Sequence, residues 1–216
     1  QSYAMVMAQL ISSENGWDNF TLSYPPKLAK IHFFYSSMNA GKSTALLQSN
    51  YNYNERGMET LLFVPKVYAD ANSSKIKSRI GLDADAYSFD QAFNFRGYLD
   101  GELAKKTSCI FVDEAQFLTK LQVRELCYIA DCHNIPVMCY GIRTDFRGEL
   151  FEGSSELLAM ADTLNELKTV CDSGKKATMV VRLDEEGNVI TEGDQIKIGG
   201  NDTYKAVSRS LFRKLT

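Results

Sequence analysis

The sequence has few of the residues that mark several large classes of protein. Its five cysteines form an odd, scattered set with no CxxC pair: Cys109, Cys127, Cys132, Cys139 and Cys171. Such a set argues against a disulfide framework and for reduced thiols in a cytoplasm. No apolar run approaches the roughly 20 residues of a membrane span, and residues 1–30 lack a basic start followed by an apolar block, so no secretory signal is expected. The net charge of -3 has interspersed signs and predicts no surface for nucleic acid or membranes.

What is present is an apolar strand that leads directly into a phosphate-binding motif. Residues 31–35, IHFFY, predict a buried β-strand, and residues 36–44, SSMNAGKST, follow it. In a P-loop, backbone N–H groups and a helix dipole attract phosphate, a lysine reaches the outer phosphates, and a hydroxyl ligates Mg²⁺. Lys42 and Ser43 stand at those positions, while Ser36 replaces the first glycine of the standard spacing. The alternative is a chance Gly-Lys-Ser at a helix start.

A second apolar strand ends in two carboxylates. Residues 109–112, CIFV, lead into Asp113 and Glu114. This is the Walker B arrangement, which delivers a carboxylate beside the P-loop to hold Mg²⁺ directly or through water. Glu114 would then accept a proton from an attacking hydroxyl. The alternative for both residues is an acidic pair at a helix N-terminus, where the dipole favours negative charge.

The rest of the chain alternates strands with helices. Further strands are predicted at residues 60–65, 135–140 and 164–170, and helices at 42–56, 89–106, 119–133 and 154–160. This order predicts an α/β fold for residues 28–168, a P-loop (RecA-like) mostly parallel sheet flanked by helices. Residues 169–216 predict a small C-terminal β-rich domain that ends in a helix from about 202 to 214, and residues 1–27 an irregular extension.

Two loops and a glycine pair are further candidates for ligand contacts. Residues 141–148, GIRTDFRG, follow a strand at the edge where open α/β sheets bind ligands. Arg143 and Arg147 are therefore phosphate candidates, with solvated loop arginines as the alternative. Residues 66–82 form a polar loop that can cover a site. At 199–200, two glycines end a predicted short strand and allow a ligand to approach the backbone closely.

Five segments together resemble the cytosolic and bacterial (type II) thymidine kinases. They are residues 36–44 (SSMNAGKST), 112–117 (VDEAQF), 140–151 (YGIRTDFRGELF), 166–178 (ELKTVCDSGKKAT) and 198–204 (IGGNDTY). Serine at the first P-loop position also occurs in bacterial members, and the combination is specific where Gly-Lys-Ser alone is not. The resemblance implies Mg²⁺-dependent transfer of the γ-phosphate of ATP to the 5′-hydroxyl of thymidine or deoxyuridine, which gives dTMP by nucleoside salvage for DNA synthesis.

The resemblance also implies roles for individual residues. Glu114 is the implied catalytic base, and Ser43 and Asp113 hold Mg²⁺, partly through water. Residues implied in ATP and phosphate binding are Ser36, Met38, Asn39, Ala40, Gly41, Lys42, Ser43, Thr44, Asp113 and Arg143. Those implied in nucleoside binding are Met38, Gln116, Phe117, Ile142, Phe146, Phe151, Met179, Val180, Arg182, Lys197, Ile198, Gly199 and Tyr204. The resemblance also implies that backbone groups of a lasso-like loop, around residues 179–182 and 195–200, grip the base. Feedback inhibition by thymidine triphosphate (dTTP) and a homotetramer are implied as well.

Two departures from the family pattern affect these expectations. The family usually carries a four-cysteine zinc site in the small domain, but here Gly174, Ser208 and Leu211 accompany Cys171. A structural zinc needs about four N or S ligands, so no zinc is predicted. The family also carries an Asp-x-Arg motif after its second strand, where residues 68–71 read YADA. Arg79 or Arg143 are candidates for the missing positive charge.

Two other functions fit parts of the sequence. The first is another P-loop NTPase, which would lack the nucleoside pocket around Phe146, Phe151 and Tyr204. The absence of an Asn-Lys-x-Asp motif disfavours a GTPase among these. The second is a non-catalytic nucleotide sensor on the same scaffold, which would be expected to have lost Lys42 or Glu114.

Overall fold

The computed structural model describes residues 28–69, 74–197 and 203–216. Its strands are β1 (Ile31–Ser36), β2 (Glu59–Pro65), β3 (Lys75–Lys77), β4 (Asp83–Asp85), β5 (Tyr87–Phe89), β6 (Thr107–Val112), β7 (Val137–Ile142), β8 (Thr163–Glu166), β9 (Thr169–Val170), β10 (Lys176–Ala177), β11 (Met179–Leu183), β12 (Val189–Ile190) and β13 (Tyr204–Val207). Its α-helices are α1 (Lys42–Asn54), α2 (Phe95–Tyr98), α3 (Gly101–Lys106), α4 (Lys120–His133), α5 (Glu152–Met160) and α6 (Arg209–Leu215). A 3₁₀ turn at Ala115–Phe117 follows β6.

A six-stranded sheet in the order β5-β2-β6-β7-β1-β8 forms the centre of the fold. Every strand pair in it is parallel. A separate antiparallel sheet, β12-β11-β13, lies near the C-terminus. The predicted fold class, a mostly parallel α/β sheet with a small β-rich C-terminal part, is confirmed. The domain limits at 27/28 and 168/169 stay predictions.

The central strands are apolar throughout because both faces of the sheet are covered. In β6, Ile110 and Val112 pack into one core cluster with helix α4, whereas Cys109 and Phe111 pack on the opposite face with helix α1. Side chains alternate between the two faces along a strand, so the side chains of a continuous apolar run such as CIFV pack into the core clusters on both faces of the sheet. The helices thereby fix the carboxyl ends of β1, β6 and β7 at one edge.

Helix α4 begins with a reciprocal cap that also holds a neighbouring loop. Thr119 Oγ1 accepts from the Gln122 N–H, and Gln122 Oε1 accepts from the Thr119 N–H, which is a capping box. The buried Gln122 amide then donates to the Asp90 and Phe93 carbonyls at 2.7 and 2.9 Å. One side chain therefore joins the start of α4 to the segment between β5 and α2.

Several predicted elements differ in the structure. The helix predicted over 89–106 is instead the end of β5 and two short helices, because side chains of Asn94 and Asp100 start new helices there. The apolar pattern of the 42–56 helix predicts an inward stripe of Leu46, Leu47 and Tyr51, but Tyr51 is 60% exposed. The C-terminal helix begins at Arg209 rather than near 202, since β13 pairs with β11 before it. The strand predicted to end at the 199–200 glycine pair falls partly outside the described residues.

None of the helices in the described ranges combines the length and the apolar character needed to span a bilayer. Residues 1–27, predicted to be an irregular extension, also lie outside the description.

Replacing Gln122 with alanine tests the cap. The change removes half of the capping box and the two bonds that the buried Gln122 amide donates to loop carbonyls, so we expect the free energy of unfolding to fall by about 2 to 4 kcal/mol. Urea-induced unfolding followed by circular dichroism measures it. Gln48→Ala on the exposed face of α1 is the matched control and should change stability by less than about 0.5 kcal/mol. Equal stability of the two variants would show that the bridging bonds contribute nothing.

Candidate active site

A cavity of about 460 Å³ lies where β1, β6 and β7 end. The loops after these strands supply most of its wall, as expected for an open parallel sheet. Residues of the predicted site that line it are Met38, Asn39, Ala40, Gly41, Lys42, Ser43, Thr44, Glu114, Gln116, Phe117, Ile142, Phe146, Phe151, Val180, Lys197 and Tyr204. The fold thus brings the P-loop, Glu114 and most of the proposed nucleoside residues to one space, while Asp113 is bonded to Ser43 and does not itself line the cavity.

The loop between β1 and α1 has the geometry of a phosphate cradle. Gly41, with φ 75°, precedes the first turn of α1, which carries no acidic side chain. Lys42 Nζ is buried and donates to Ser36 Oγ at 3.0 Å and to the Ser37 carbonyl at 2.9 Å. Burial lowers the pKa of Lys42, and the charges of Glu114 and Asp113 oppose this. Ser36, which replaces the usual glycine, thus contributes an oxygen that holds the lysine.

Ser43 and Asp113 meet beside this cradle. Ser43 Oγ donates to Asp113 Oδ2 at 2.8 Å, and Asp113 Oδ1 accepts from the Glu114 N–H. Burial raises the pKa of Asp113, and the neighbouring Glu114 raises it further. A hydroxyl and a buried carboxylate are oxygen ligands of the type that Mg²⁺ prefers, with phosphate oxygens and water completing the shell. The residues present therefore fit a divalent cation.

Glu114 is held by an anchored amide. Its backbone has φ 49°, an unusual conformation for a residue other than glycine and one that often marks a functional site. Gln116 Nε2 donates to Glu114 Oε2, while Gln116 Oε1 accepts from the Ile142 N–H at 3.1 Å. The carboxylate of Glu114 is thus tied to the end of β7.

Two glycines let the 3₁₀ turn that follows Glu114 pack this closely. A Cβ on Gly141 would lie 2.8 Å from Gln116 Oε1. A Cβ on Gly153 would lie 2.6 Å from two carbonyl oxygens of that turn and its end. Any larger residue at either position would push the turn away from β7 and α5, and Gln116 with it.

The far end of the cavity is aromatic. The ring centroids of Tyr68 and Phe117 lie 5.5 Å apart, and those of Phe117 and Phe151 lie 6.0 Å apart. Phe146 and Tyr204 complete the wall with Val180. Burial raises the pKa of Tyr68, and the charge of Glu114 adds to the effect. Such an aromatic wall suits a planar base, bound in the same cavity as the P-loop.

Other predicted residues lie away from the cavity wall. Met179 packs in the core of the small sheet, because alternation along β11 turns Val180 and Arg182 to the opposite face. Arg182 contacts Phe146 and Tyr204 behind the wall. Arg143 is not among the lining residues, whereas Arg79 is. Ile198 and Gly199 lie outside the described residues.

Some lining residues were not predicted from the sequence. They are Tyr68, Lys77, Ser78, Ile80, Thr144 and Asp145. Lys77, Ser78 and Ile80 belong to the β3–β4 hairpin or its turn, a region that was predicted only as a polar loop covering the site. Asp145 lies in the GIRTDFRG segment, of which only Ile142, Arg143, Phe146 and Arg147 were predicted to contact ligands. The Asp–x–x–Gly spacing of a tight turn was the available signal for Asp145.

The positions of the family's zinc ligands form a hydrogen-bonded cluster here. Cys171 Sγ lies 3.2 Å from Ser173 Oγ and 3.3 Å from the Lys175 carbonyl. Ser208 caps α6 through a bond from the Leu211 N–H. Over the described ranges, no group of three or more His, Cys, Asp or Glu is arranged to hold a metal ion. The absence of structural zinc stays a prediction.

Comparison with known proteins identifies the family. The family model described as thymidine kinase matches residues 29–212. The chain belongs to the thymidine kinase family. It is 55% identical to a thymidine kinase of Coxiella burnetii over 188 residues, which cover 86% of this chain and 96% of that protein. It is 52% identical to a thymidine kinase of Rhodopirellula baltica over 188 residues, which cover 87% and 89%.

Two Pif1 helicases are among the solved structures that resemble this chain. The Pif1 helicase of Candida albicans aligns with a TM-score of 0.40 and 16% identity, over 79% of this chain and 40% of the helicase chain.

Thymidine kinase family membership implies thymidine and ATP as substrates and a divalent metal ion, in agreement with the resemblance seen in the sequence.

Asp113→Asn tests how much the buried Asp113 carboxylate costs in folding stability. Because the folded-state pKa of Asp113 is raised, the buried carboxylate costs stability above the unfolded pKa of about 3.9, and the cost grows as pH rises towards the folded pKa. We therefore expect the substrate-free variant to be more stable than the parent by an amount on the order of 1 kcal/mol at pH 8, with little difference at pH 4. Thermal unfolding across this range checks it, and an Asn variant less stable at pH 8 contradicts it.

Proposed function

We propose that the chain transfers the γ-phosphoryl group of ATP to the 5′-hydroxyl of thymidine, and of deoxyuridine, with Mg²⁺ as the divalent ion. The observation that carries the proposal is the single cavity that joins a P-loop to an aromatic pocket, with Glu114 between them. A generic NTPase would need only the first part, and a nucleotide sensor would need no carboxylate at the junction. Family membership supports the thymidine specificity.

Lys42, Ser43 and Asp113 would act on the phosphates. The N–H groups of residues 39–44 and the N-terminus of α1 bind phosphate oxygens, and Lys42 exchanges its bonds to the loop for the outer phosphates. Ser43 and Asp113 would hold Mg²⁺, which neutralises charge on the phosphates when it is bound. Arg79, on the cavity wall, is the better placed of the two arginines considered for the missing positive charge.

Glu114 would act on the hydroxyl. Its carboxylate accepts the proton as the 5′-oxygen attacks the γ-phosphorus, the bond from that phosphorus to the β,γ-bridging oxygen breaks, and ADP leaves; the Gln116 amide keeps the carboxylate in place. Phe117, Phe146 and Phe151 would orient the base so that the hydroxyl points towards Glu114. Most of the rate enhancement then comes from positioning and charge stabilisation.

Cellular context and regulation are also proposals. We propose a cytoplasmic enzyme, for which the five free thiols are the supporting observation. The family resemblance supports a homotetramer and inhibition by dTTP. The same nucleoside pocket would receive the thymidine part of dTTP, so the inhibitor and thymidine would compete.

A phosphotransfer assay tests the proposed reaction. The chain is incubated with ATP and Mg²⁺ and with thymidine, deoxyuridine, deoxycytidine or no acceptor. We expect monophosphate products from thymidine and deoxyuridine alone, because the base pocket selects the acceptor. ATP hydrolysis at one rate with every acceptor would instead favour a generic P-loop NTPase, and nucleotide binding without turnover would favour a sensor.

Glu114→Gln tests the base. The amide cannot accept the proton, so we expect turnover to fall by about 10²- to 10⁴-fold. Thymidine affinity, measured by calorimetry, should change less than about threefold since the pocket walls stay in place. Glu102→Gln on the exposed face of α3 is the matched control and should keep parental turnover. Retained turnover in Glu114→Gln would exclude this residue as the base.

A further inference from the structure

Arg182 is a buried cation bonded to neutral oxygens of a loop. It is 3% exposed, and its guanidinium lies 3.8 Å from the centroid of the Phe146 ring. Nη1 donates to the Asp194 carbonyl at 2.8 Å and Nη2 to the Gln195 carbonyl at 3.2 Å. Nε and Nη2 donate to Tyr204 Oη. The planar fork of arginine can reach all these acceptors at once, which a lysine cannot do.

Tyr204 connects Arg182 to a third backbone carbonyl, that of Lys197. Its hydroxyl accepts from Arg182 and donates to the Lys197 carbonyl at 2.8 Å. Residues 194, 195 and 197 therefore each have a backbone carbonyl bonded to this pair of side chains. We refer to residues 194–197 as the 194–197 loop. Three of its members, Gln195, Ile196 and Lys197, line the cavity.

Asp145 binds a side chain of this loop rather than its backbone. This carboxylate, 3% exposed, accepts from the N–H groups of Arg147 and Glu149 and from the Arg147 guanidinium. These bonds fix it in a tight turn that also contains Phe146. Gln195 Nε2 donates to Asp145 Oδ2 at 3.1 Å, with a longer contact of 3.5 Å to the Leu150 carbonyl. The turn after β7 and the small sheet are thus joined through Gln195.

We propose that Arg182, Asp145 and Gln195 form a clasp, a set of positioning residues that holds the 194–197 loop against the nucleoside end of the cavity. Arg182 fixes the backbone of the loop, and Asp145 fixes its one inward amide side chain. In this arrangement Arg182 acts on thymidine through the loop and through Phe146, and makes no contact of its own. The inference rests on the proposed function and adds to it the determinants of nucleoside affinity.

The clasp predicts a selective effect on nucleoside binding. Gln195→Ala removes one hydrogen bond to a buried carboxylate, so we expect the KM for thymidine to rise about tenfold. The KM for ATP should stay within about twofold, since the P-loop lies on other elements. Gln48→Ala is the matched control with parental values for both. A parallel rise of both KM values, or an unchanged KM for thymidine, would overturn the clasp.

A double-mutant cycle tests how Arg182 acts. Arg182→Lys keeps the charge over Phe146 but loses the fork to the two carbonyls. If both residues hold the same loop, Gln195→Ala should have little further effect on the KM for thymidine once Arg182→Lys is present. A combined effect equal to the product of the single effects would overturn the positioning role of Arg182 and favour direct contact with the nucleoside.

Proteolysis tests the clasp without any substrate. Lys197 is exposed, and trypsin cleavage after it can be followed by mass spectrometry, with cleavage after exposed Lys105 as the internal reference. We expect Gln195→Ala and Arg182→Lys each to raise the relative rate at Lys197 at least threefold. Unchanged rates would overturn the clasp. If the parent chain failed to phosphorylate thymidine, the proposed function would fall, while this measurement would still decide whether the clasp exists.

Discussion

The site depends on one geometric constraint, the common direction of the six central strands. Because every pairing is parallel, β1, β6 and β7 end at the same edge of the sheet. The P-loop follows β1, the carboxylate pair follows β6, and the turn that contains Phe146 follows β7. Two apolar cores, one on each face, hold the strands in register. Positioning of the reacting groups therefore follows from packing far from the cavity.

Buried charges at the site are balanced in different ways. Lys42 is bonded to oxygens of its own loop, and Asp113 accepts a hydroxyl and an N–H. Arg182 relies on carbonyl oxygens and an aromatic face. Each arrangement offsets part of the cost of removing a charge from water. For Lys42 and Asp113 the balance is incomplete, as their shifted pKa values show, and ligands that carry phosphate and a cation would complete it.

The small sheet β12-β11-β13 has only a small apolar core among the described residues. Its own core consists of Met179, Val181 and Val207 with a few partly buried neighbours. Cys171 and Ser208 near this sheet make hydrogen bonds with neighbouring residues. Ser37 Oγ donates to the Ala177 carbonyl at 3.2 Å, and Gln195 donates to Asp145, so both bonds join C-terminal residues to the central fold. Apolar packing and a few hydrogen bonds therefore connect these C-terminal residues to the central fold.

Local sequence was enough to determine the fold class, the P-loop, the carboxylate pair and the family. Each of these depends on neighbours in the chain, either an apolar run of fixed period or a few residues at fixed spacing. The breaks in the 89–106 segment and the late start of α6 were not predictable in this way. They depend on which side chain caps a helix and on β13 pairing with a distant strand.

Tertiary structure alone decided how residues share the site. It placed Arg79 on the cavity wall and left Arg143 off it, and it set Arg182 behind Phe146. It also joined Asp145 to Gln195, which are 50 residues apart. Such pairings depend on long-range geometry, in which a one-residue change of strand phase would turn each side chain to the other face. For that reason, the sequence determines which chemical groups are available, and the fold decides which of them meet.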